Sequence, residues 1–265
     1  MDERSGDDLL SAAAANLAAW HESSIRALGL STTTGSWWWT AATPRPWIYF
    51  TAVALHAPGS KAERREFEQE LAAHLDDPLG SFQAVCESFD RFDLGQLASG
   101  PSGLVLRTTG RWFTRPAGPP PEAPATRDDD AGPATRLEIT LVTSEDDLYD
   151  YECTTCAAFR APPPIAPFEI HAPGILADPD MHVLLGRVDG ALAAGAMAYV
   201  TDDLLGIYGV GTVPGQREHG YATALTRAAL ALAPDRPAML QPSAEAEGMY
   251  RRLGFVEVGR FTHWG

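Results

Sequence analysis

The segment from Thr212 to Leu225 constrains this chain more than any other. An apolar run with strand character, Leu204 to Val213, meets Pro214 and Gly215, and an amphipathic helix pattern begins at about Gly220. Between them stand Arg217, Gly220 and Ala222, spaced Arg-x-x-Gly-x-Ala. A helix start leaves N–H groups without partners and sits at the positive end of the macrodipole, so it attracts anions. Small residues at 220 and 222 let a bulky diphosphate reach those amides. The segment therefore predicts a strand, loop and helix that hold a phosphate-bearing cofactor.

Two common phosphate loops do not fit. The dinucleotide fingerprint needs glycines directly after the strand and an acidic residue about twenty positions on. Here a proline turn follows the strand, and the spacing Gly211-x-x-x-Gly215 is wrong. The Gly-Lys-Ser/Thr of a P-loop is absent. Downstream, Met239 to Ser243 reads as a short strand and Ala244 to Leu253 as a helix, with Ser243 as its N-cap and Gly254 as its terminal glycine. Upstream, His182 to Arg187 and Leu192 to Thr201 read as a hairpin about Asp189 and Gly190, with a turn at Asp202 and Asp203 before the next strand.

Arg217-x-x-Gly220-x-Ala222 resembles the acyl-CoA-binding motif of the GNAT acetyltransferases, Arg/Gln-x-x-Gly-x-Gly/Ala. Tyr250-x-x-Leu253-Gly254-Phe255 resembles the second signature of that family, Tyr-x-x-Leu-Gly-Phe, and the strand order agrees. The resemblance covers roughly residues 136 to 265. It implies an α/β fold with a mixed sheet, acetyl-CoA as co-substrate without a metal, and direct attack by a primary amine of a small molecule or peptide. A non-catalytic acyl-CoA-binding or regulatory protein is the alternative.

By the same resemblance, Val210, Gly211 and Thr212 align the pantetheine arm, and Gly209 and Gly211 suit a close backbone approach. The diphosphate would rest on the amides of Glu218, His219, Gly220, Tyr221, Ala222 and Thr223, with Arg217 alongside. Glu218 departs from the more usual glycine, and His219 suits a cation near phosphate. Tyr250 matches the tyrosine that protonates the departing thiolate; helix packing is its structural alternative. Ser243 matches a polar position that contacts CoA in many relatives, and capping explains it equally well. No general base declares itself. His171, in the segment expected to bind the acceptor, reads as a base or as a surface residue, and His263 and Trp264 as an edge of the acceptor pocket.

The net charge of −15 argues against nucleic acid and against an anionic membrane as partners. No apolar run reaches the ~18–20 residues that span a bilayer, and the acidic start lacks the form of a secretory signal, so a cytoplasmic protein is expected. The oligomeric state stays open, with a homodimer as one reading. Cys153 and Cys156 form a CxxC inside a predicted helix, Glu145 to Phe159; without a second pair they read as structural and not as a metal or redox site.

Residues 116–135, rich in proline and aspartate, read as an exposed linker between an N-terminal α/β domain (1–115) and the GNAT-like domain (136–265). In the first domain, Asp8 to Leu28 and Lys61 to Leu75 read as helices. Trp37 to Trp39 and Trp47 to Leu55 read as strands, and Leu104 to Arg115 as a hairpin about Thr109 and Gly110. Alternation puts Trp37 and Trp39 on one face. The order suggests a degenerate GNAT-like copy in a tandem arrangement. No Arg-x-x-Gly-x-Gly follows Leu55, where His56 to Glu63 stand instead, so this copy is not expected to bind CoA.

Overall fold

Alanine and leucine at helical spacing, two aspartates in the first turn and Arg26 in the last give helix α1 (Gly6–Ala27) its start, its buried face and its end. This is seen in a computed structural model that describes residues 6–42, 46, 48–75, 83–89, 92, 94–96, 104–121 and 137–265. The chain divides into two compact units. The first is Met1–Thr114 with Met239–Ala244 and Glu257–Gly265; the second is Arg115–Ala238 with Glu245–Val256.

In the first unit, strands β1 (Thr32–Thr34), β2 (Trp38–Ala41) and β3 (Ala52–Ala54) follow α1. Helix α2 (Lys61–Leu75), β4 (Val85–Glu87) and β5 (Leu106–Arg115) come next. β1, β2 and β3 pair antiparallel, whereas β3 and β4 pair parallel. Helix α2 starts on a capping box: Ser60 Oγ accepts from the Glu63 amide, and the Glu63 carboxylate accepts from the amides of Gly59 and Ser60. A protein carboxylate thus already occupies the anion position of that helix start. The Ser60-x-x-Glu63 spacing of this exchange stands in the sequence where the phosphate loop after Leu55 is missing.

The tryptophan run packs differently from the simple alternation. Trp38 is fully buried against Phe67 of α2, with ring centroids 4.6 Å apart and its indole N–H donating to the Phe67 carbonyl. Trp39 faces His21 of α1 on the other side of the sheet. Trp37 lies just outside the strand and turns toward Phe67 as well, because the Glu70 carboxylate takes both the Trp37 and Trp38 amides. Trp37 and Trp39 therefore do not share a face. Trp47 and residues 122–136 lie outside the described residues.

In the second unit, β6 (Leu137–Leu141) leads to helix α3 (Glu145–Ala158). Ser144 caps α3 by accepting from the Asp147 amide. Strands β7 (Met181–Val188), β8 (Ala191–Val200) and β9 (Leu205–Thr212) then run antiparallel, with β6 beside β7. Asp189 and Gly190, both at positive φ, close the β7–β8 hairpin as the sequence suggested. Arg187 joins β7 to α3 through Asp147 and Asp150, 2.7 Å from each.

Helix α4 (Tyr221–Leu232), β10 (Ala238–Leu240), α5 (Glu247–Arg252) and β11 (Val256–Trp264) complete the chain. The segment after β5 is held: Arg115 donates to the carbonyls of Gly118 and Pro119, and the Gly118 amide donates to the Pro234 carbonyl. Helix α5 begins at Ala246, with no side-chain cap, and Ser243 stands exposed before it. The expected Ser243 cap is thus replaced by a turn. Its far end follows the sequence: Gly254, at φ 87, and Phe255 donate back to Arg251 and Tyr250 in a Schellman arrangement.

β5 corrects a third expectation. Thr109 and Gly110 do not turn, and Leu106 to Arg115 form one strand beside β11. Gly110 answers a packing need instead, for a Cβ there would stand 2.1 Å from the Phe261 ring. Gly110→Ala should destabilise the protein by about 1–3 kcal/mol through overpacking, read as a lower urea midpoint. The loss should shrink when Phe261→Ala is added; equal losses in both backgrounds would refute the contact.

Candidate functional site

The segment expected to hold a phosphate is a turn at the start of α4. Gly220 is the N-cap at φ 79, and it brings no side-chain cap, so no side chain of its own competes for the first-turn amides. The first turn contains no acidic residue. Tyr221 is buried, Ala222 and Thr223 are half-buried, and Glu218, His219 and Gly220 are exposed. His219 Nδ1 lies 2.7 Å from the Arg217 carbonyl, and its ring stacks on Tyr221. The contrast with α2 is chemical: there a carboxylate fills the helix start, and here the start is open.

Strand β9 carries a bulge just before this loop. Gly195 pairs with Gly211 and Met197 with Tyr208, so Gly209 and Val210 together oppose the single residue Ala196. Gly209 takes φ 58, which its lack of a side chain makes cheap. The bulge turns the strand at Val210, Gly211 and Thr212, the residues expected to align a pantetheine arm.

The close approach expected at these glycines is met by the protein itself. A Cβ on Gly211 would lie 2.7 Å from Ala158 Cβ, and one on Gly195 2.8 Å from the Tyr151 ring. A Cβ on Gly209 would stand 2.9 Å from the Tyr151 hydroxyl. Helix α3 is therefore seated on a glycine floor. Arg217 locks this seat: its guanidinium donates to the Ala158 carbonyl at 2.8 Å and to the Thr212 carbonyl at 3.3 Å. It satisfies a C-terminal carbonyl of α3 while standing at the mouth of the α4 turn.

Tyr250 is buried on α5, edge-on to Phe255 at 5.8 Å. Burial pushes its phenol up to about 12, and the neighbouring Thr226 side chain pulls weakly the other way. Thr226 donates in turn to the Ala222 carbonyl in the first half of α4. The Tyr250 hydroxyl is thus tied to the phosphate-loop helix through one side chain.

His171 is not a surface residue. It is 3% exposed, lies 5.5 Å from the Tyr151 ring, and burial holds its imidazole down to about 3. It is neutral at pH 7, yet too weak a base to take a proton from an ammonium group directly. His263 belongs to the first unit, between Phe50 and Phe261, with burial lowering it to about 4; Trp264 donates to Thr262 there. Ser243 also falls in the first unit. Cys153 and Cys156 lie on α3 as reduced thiols, Cys156 buried with its thiol raised by that burial. Among the described residues no group of three His, Cys, Asp or Glu is arranged to hold a metal, and no helix is long and apolar enough to cross a membrane.

Glu218 shows why its position favours glycine. It sits at φ 69, left-handed backbone that costs an L-residue about 1–2 kcal/mol. Glu218→Gly should stabilise the protein by up to about 1 kcal/mol after the extra chain entropy of glycine is counted, seen as a small rise in melting temperature. Glu218→Val, branched at Cβ, should lower it. A fall in both variants would contradict the strained backbone.

Residues 146–255 match the acetyltransferase (GNAT) family model. The comparison with curated proteins gives no match. Among solved structures, a GCN5-related N-acetyltransferase from Kribbella flavida aligns over 94% of this chain and 95% of its own, at 19% identity and TM-score 0.56. A protein assigned to the GNAT family from Novosphingobium aromaticivorans aligns over 92% and 94%, at 22% identity and TM-score 0.50. A functionally unknown conserved protein from Staphylococcus epidermidis aligns over 88% and 91%, at 18% identity and TM-score 0.50. These likenesses extend the shared fold to the N-terminal half. With their bulged strand and glycine-capped helix, residues 146–255 form the GNAT acetyltransferase domain that the family model matches, on a fold shared with these solved structures.

Proposed function

We propose that the protein transfers the acetyl group of acetyl-CoA to a primary amine by direct attack on the thioester. The observation that carries this reading is the open start of α4 directly behind the bulged end of β9. The first offers N–H groups and dipole charge to a diphosphate. The second turns strand backbone toward an arm that can bond to it. Val210, Gly211 and Thr212 would line the pantetheine; the amides from Glu218 to Thr223 would take the diphosphate, with Arg217 bracing the turn and His219 at its edge. The transfer domain is proposed to run from 136 to 265 in a cytoplasmic protein whose N-terminal part lacks a second CoA site.

Tyr250 is proposed to serve the leaving sulfur. Free thiols ionise near 8.5, so full transfer from a phenol at about 12 runs uphill by about 3.5 units, about 5 kcal/mol. The phenol therefore acts best as a hydrogen-bond donor to sulfur as charge develops there. The same burial favours a second reading, an acyl-CoA-binding protein without transfer, in which Tyr250 only packs on Thr226 and Phe255.

Calorimetry should show acetyl-CoA binding that weakens at least about tenfold in Gly220→Glu, which sets a carboxylate at the amides. No binding by the native protein would remove both readings. A panel of small amines and peptides, followed by release of CoA thiol, separates them: release marks an enzyme, and none across the panel favours the binder. Tyr250→Phe should lower kcat about tenfold or more with acetyl-CoA binding unchanged. Because the phenol keeps its proton below about 12, native turnover should rise as the amine is deprotonated and show no falling limb from Tyr250 below about pH 10.

A further inference from the structure

Helix α3 carries a carboxylate that the chemistry above leaves unused. Glu152 is fully buried, and its oxygens face backbone amides of one segment. They accept from the N–H groups of Phe168 at 2.9 Å, Ile170 at 2.5 Å and His171 at 3.2 Å. That segment is neither helix nor strand, and it follows Pro162, Pro163, Pro164 and Pro167. Phe168 is held at φ 67, unfavourable for a bulky residue, with its ring edge-on to Tyr149 at 6.4 Å. Strained backbone of this kind persists where its surroundings over-determine it.

The anchored segment reaches the bulged strand through two side chains. His171 lies against the Tyr151 ring, and the Tyr151 hydroxyl stands over Gly209. Adjacent residues of α3 thus do two things: Tyr151 meets the bulge, and Glu152 fixes the loop that packs on Tyr151. Glu152 is a poor candidate for a general base, since it is buried and three of its about four acceptor sites are engaged by amide donors.

We propose that Glu152 is a positioning residue: its carboxylate fixes residues 168–171 as a wall for the amine acceptor beside the Gly209 bulge. This rests on the amine-transfer reading, and it adds the group that holds the acceptor side in place. A wall displaced by an ångström can cost a hundredfold in reaction efficiency, so the anchor should show in the kinetics.

The test begins with the native protein. In amide hydrogen exchange, Ile170 and His171 should be protected like the amides of α3, although they lie outside regular structure. Exchange at the rate of an open loop would overturn the proposal. Glu152→Gln puts an amide where three donors converge, and it should speed exchange at 168–171 about tenfold or more while β9 and α4 stay protected. In that variant the KM for the best amine of the panel should rise about tenfold, with kcat at saturation and the KM for acetyl-CoA changed by no more than about twofold. Glu152→Asp, which keeps the charge, should recover part of the loss.

An unchanged amine KM, or a collapse of kcat alone as for a lost base, would each refute the positioning role, as would loss of protection throughout the unit. If native protein turns over no amine, the transfer reading fails by itself. Protection at Ile170 and His171 then decides whether Glu152 holds the segment.

Discussion

The second unit is organised by how closely α3 lies against β8 and β9, a distance that any residue larger than glycine at 195 or 211 would forbid. Those two glycines are paired partners on adjacent strands, so they open one shallow seat. Tyr151 and Ala158 fill it a helical distance apart. Once α3 is seated, its C-terminal carbonyl falls within reach of Arg217, and the turn before α4 is braced from behind. The same seating brings Tyr151 over the bulge and turns Glu152 toward the loop after the helix. Each element of the site therefore depends on a contact without charge or hydrogen bond, set by the absence of two side chains.

This dependence explains which parts of the site were legible in the sequence. The α4 turn was legible because its requirements are local: a strand, a proline turn, a residue able to take positive φ, and a helix start without a competing cap. Gly254 was legible for the same reason. Glu152 was not. It ends a run with Glu145, Asp146, Asp147 and Asp150, and nothing in composition separates the one carboxylate that turns inward. Its role is fixed by amides 16 to 19 residues away, which no helical periodicity reports.

The misread positions carry the same lesson in detail. Thr109 and Gly110 have the composition of a turn, yet the glycine is demanded by Phe261, far along the chain, and the strand runs through. Ser243 has the chemistry of a cap, but the turn from Ala244 to Ala246 moves the helix start beyond its reach. His171 looked like a loop residue because its neighbours are prolines and small residues; it is buried because Glu152 draws its backbone inward. In the first unit, Trp37 departs from strand alternation because a carboxylate on α2 captures its amide. Long-range partners overrode local pattern at Gly110, His171 and Trp37, and at Ser243 an adjacent turn did.

The two helix starts differ in what stands at their first amides. At α2, Glu63 reaches back to the amides of Gly59 and Ser60, so the helix supplies its own anion and gains stability from it. At α4, Gly220 supplies none, and the backbone before it is further strained by Glu218 at positive φ. A helix start left without an internal anion forgoes the stability of a cap, commonly ~1 kcal/mol. It keeps in exchange the amides and dipole that the proposed transfer reading assigns to a diphosphate. The difference between a filled and an open helix start here comes down to whether one carboxylate, three residues inside the helix, folds back onto its own start.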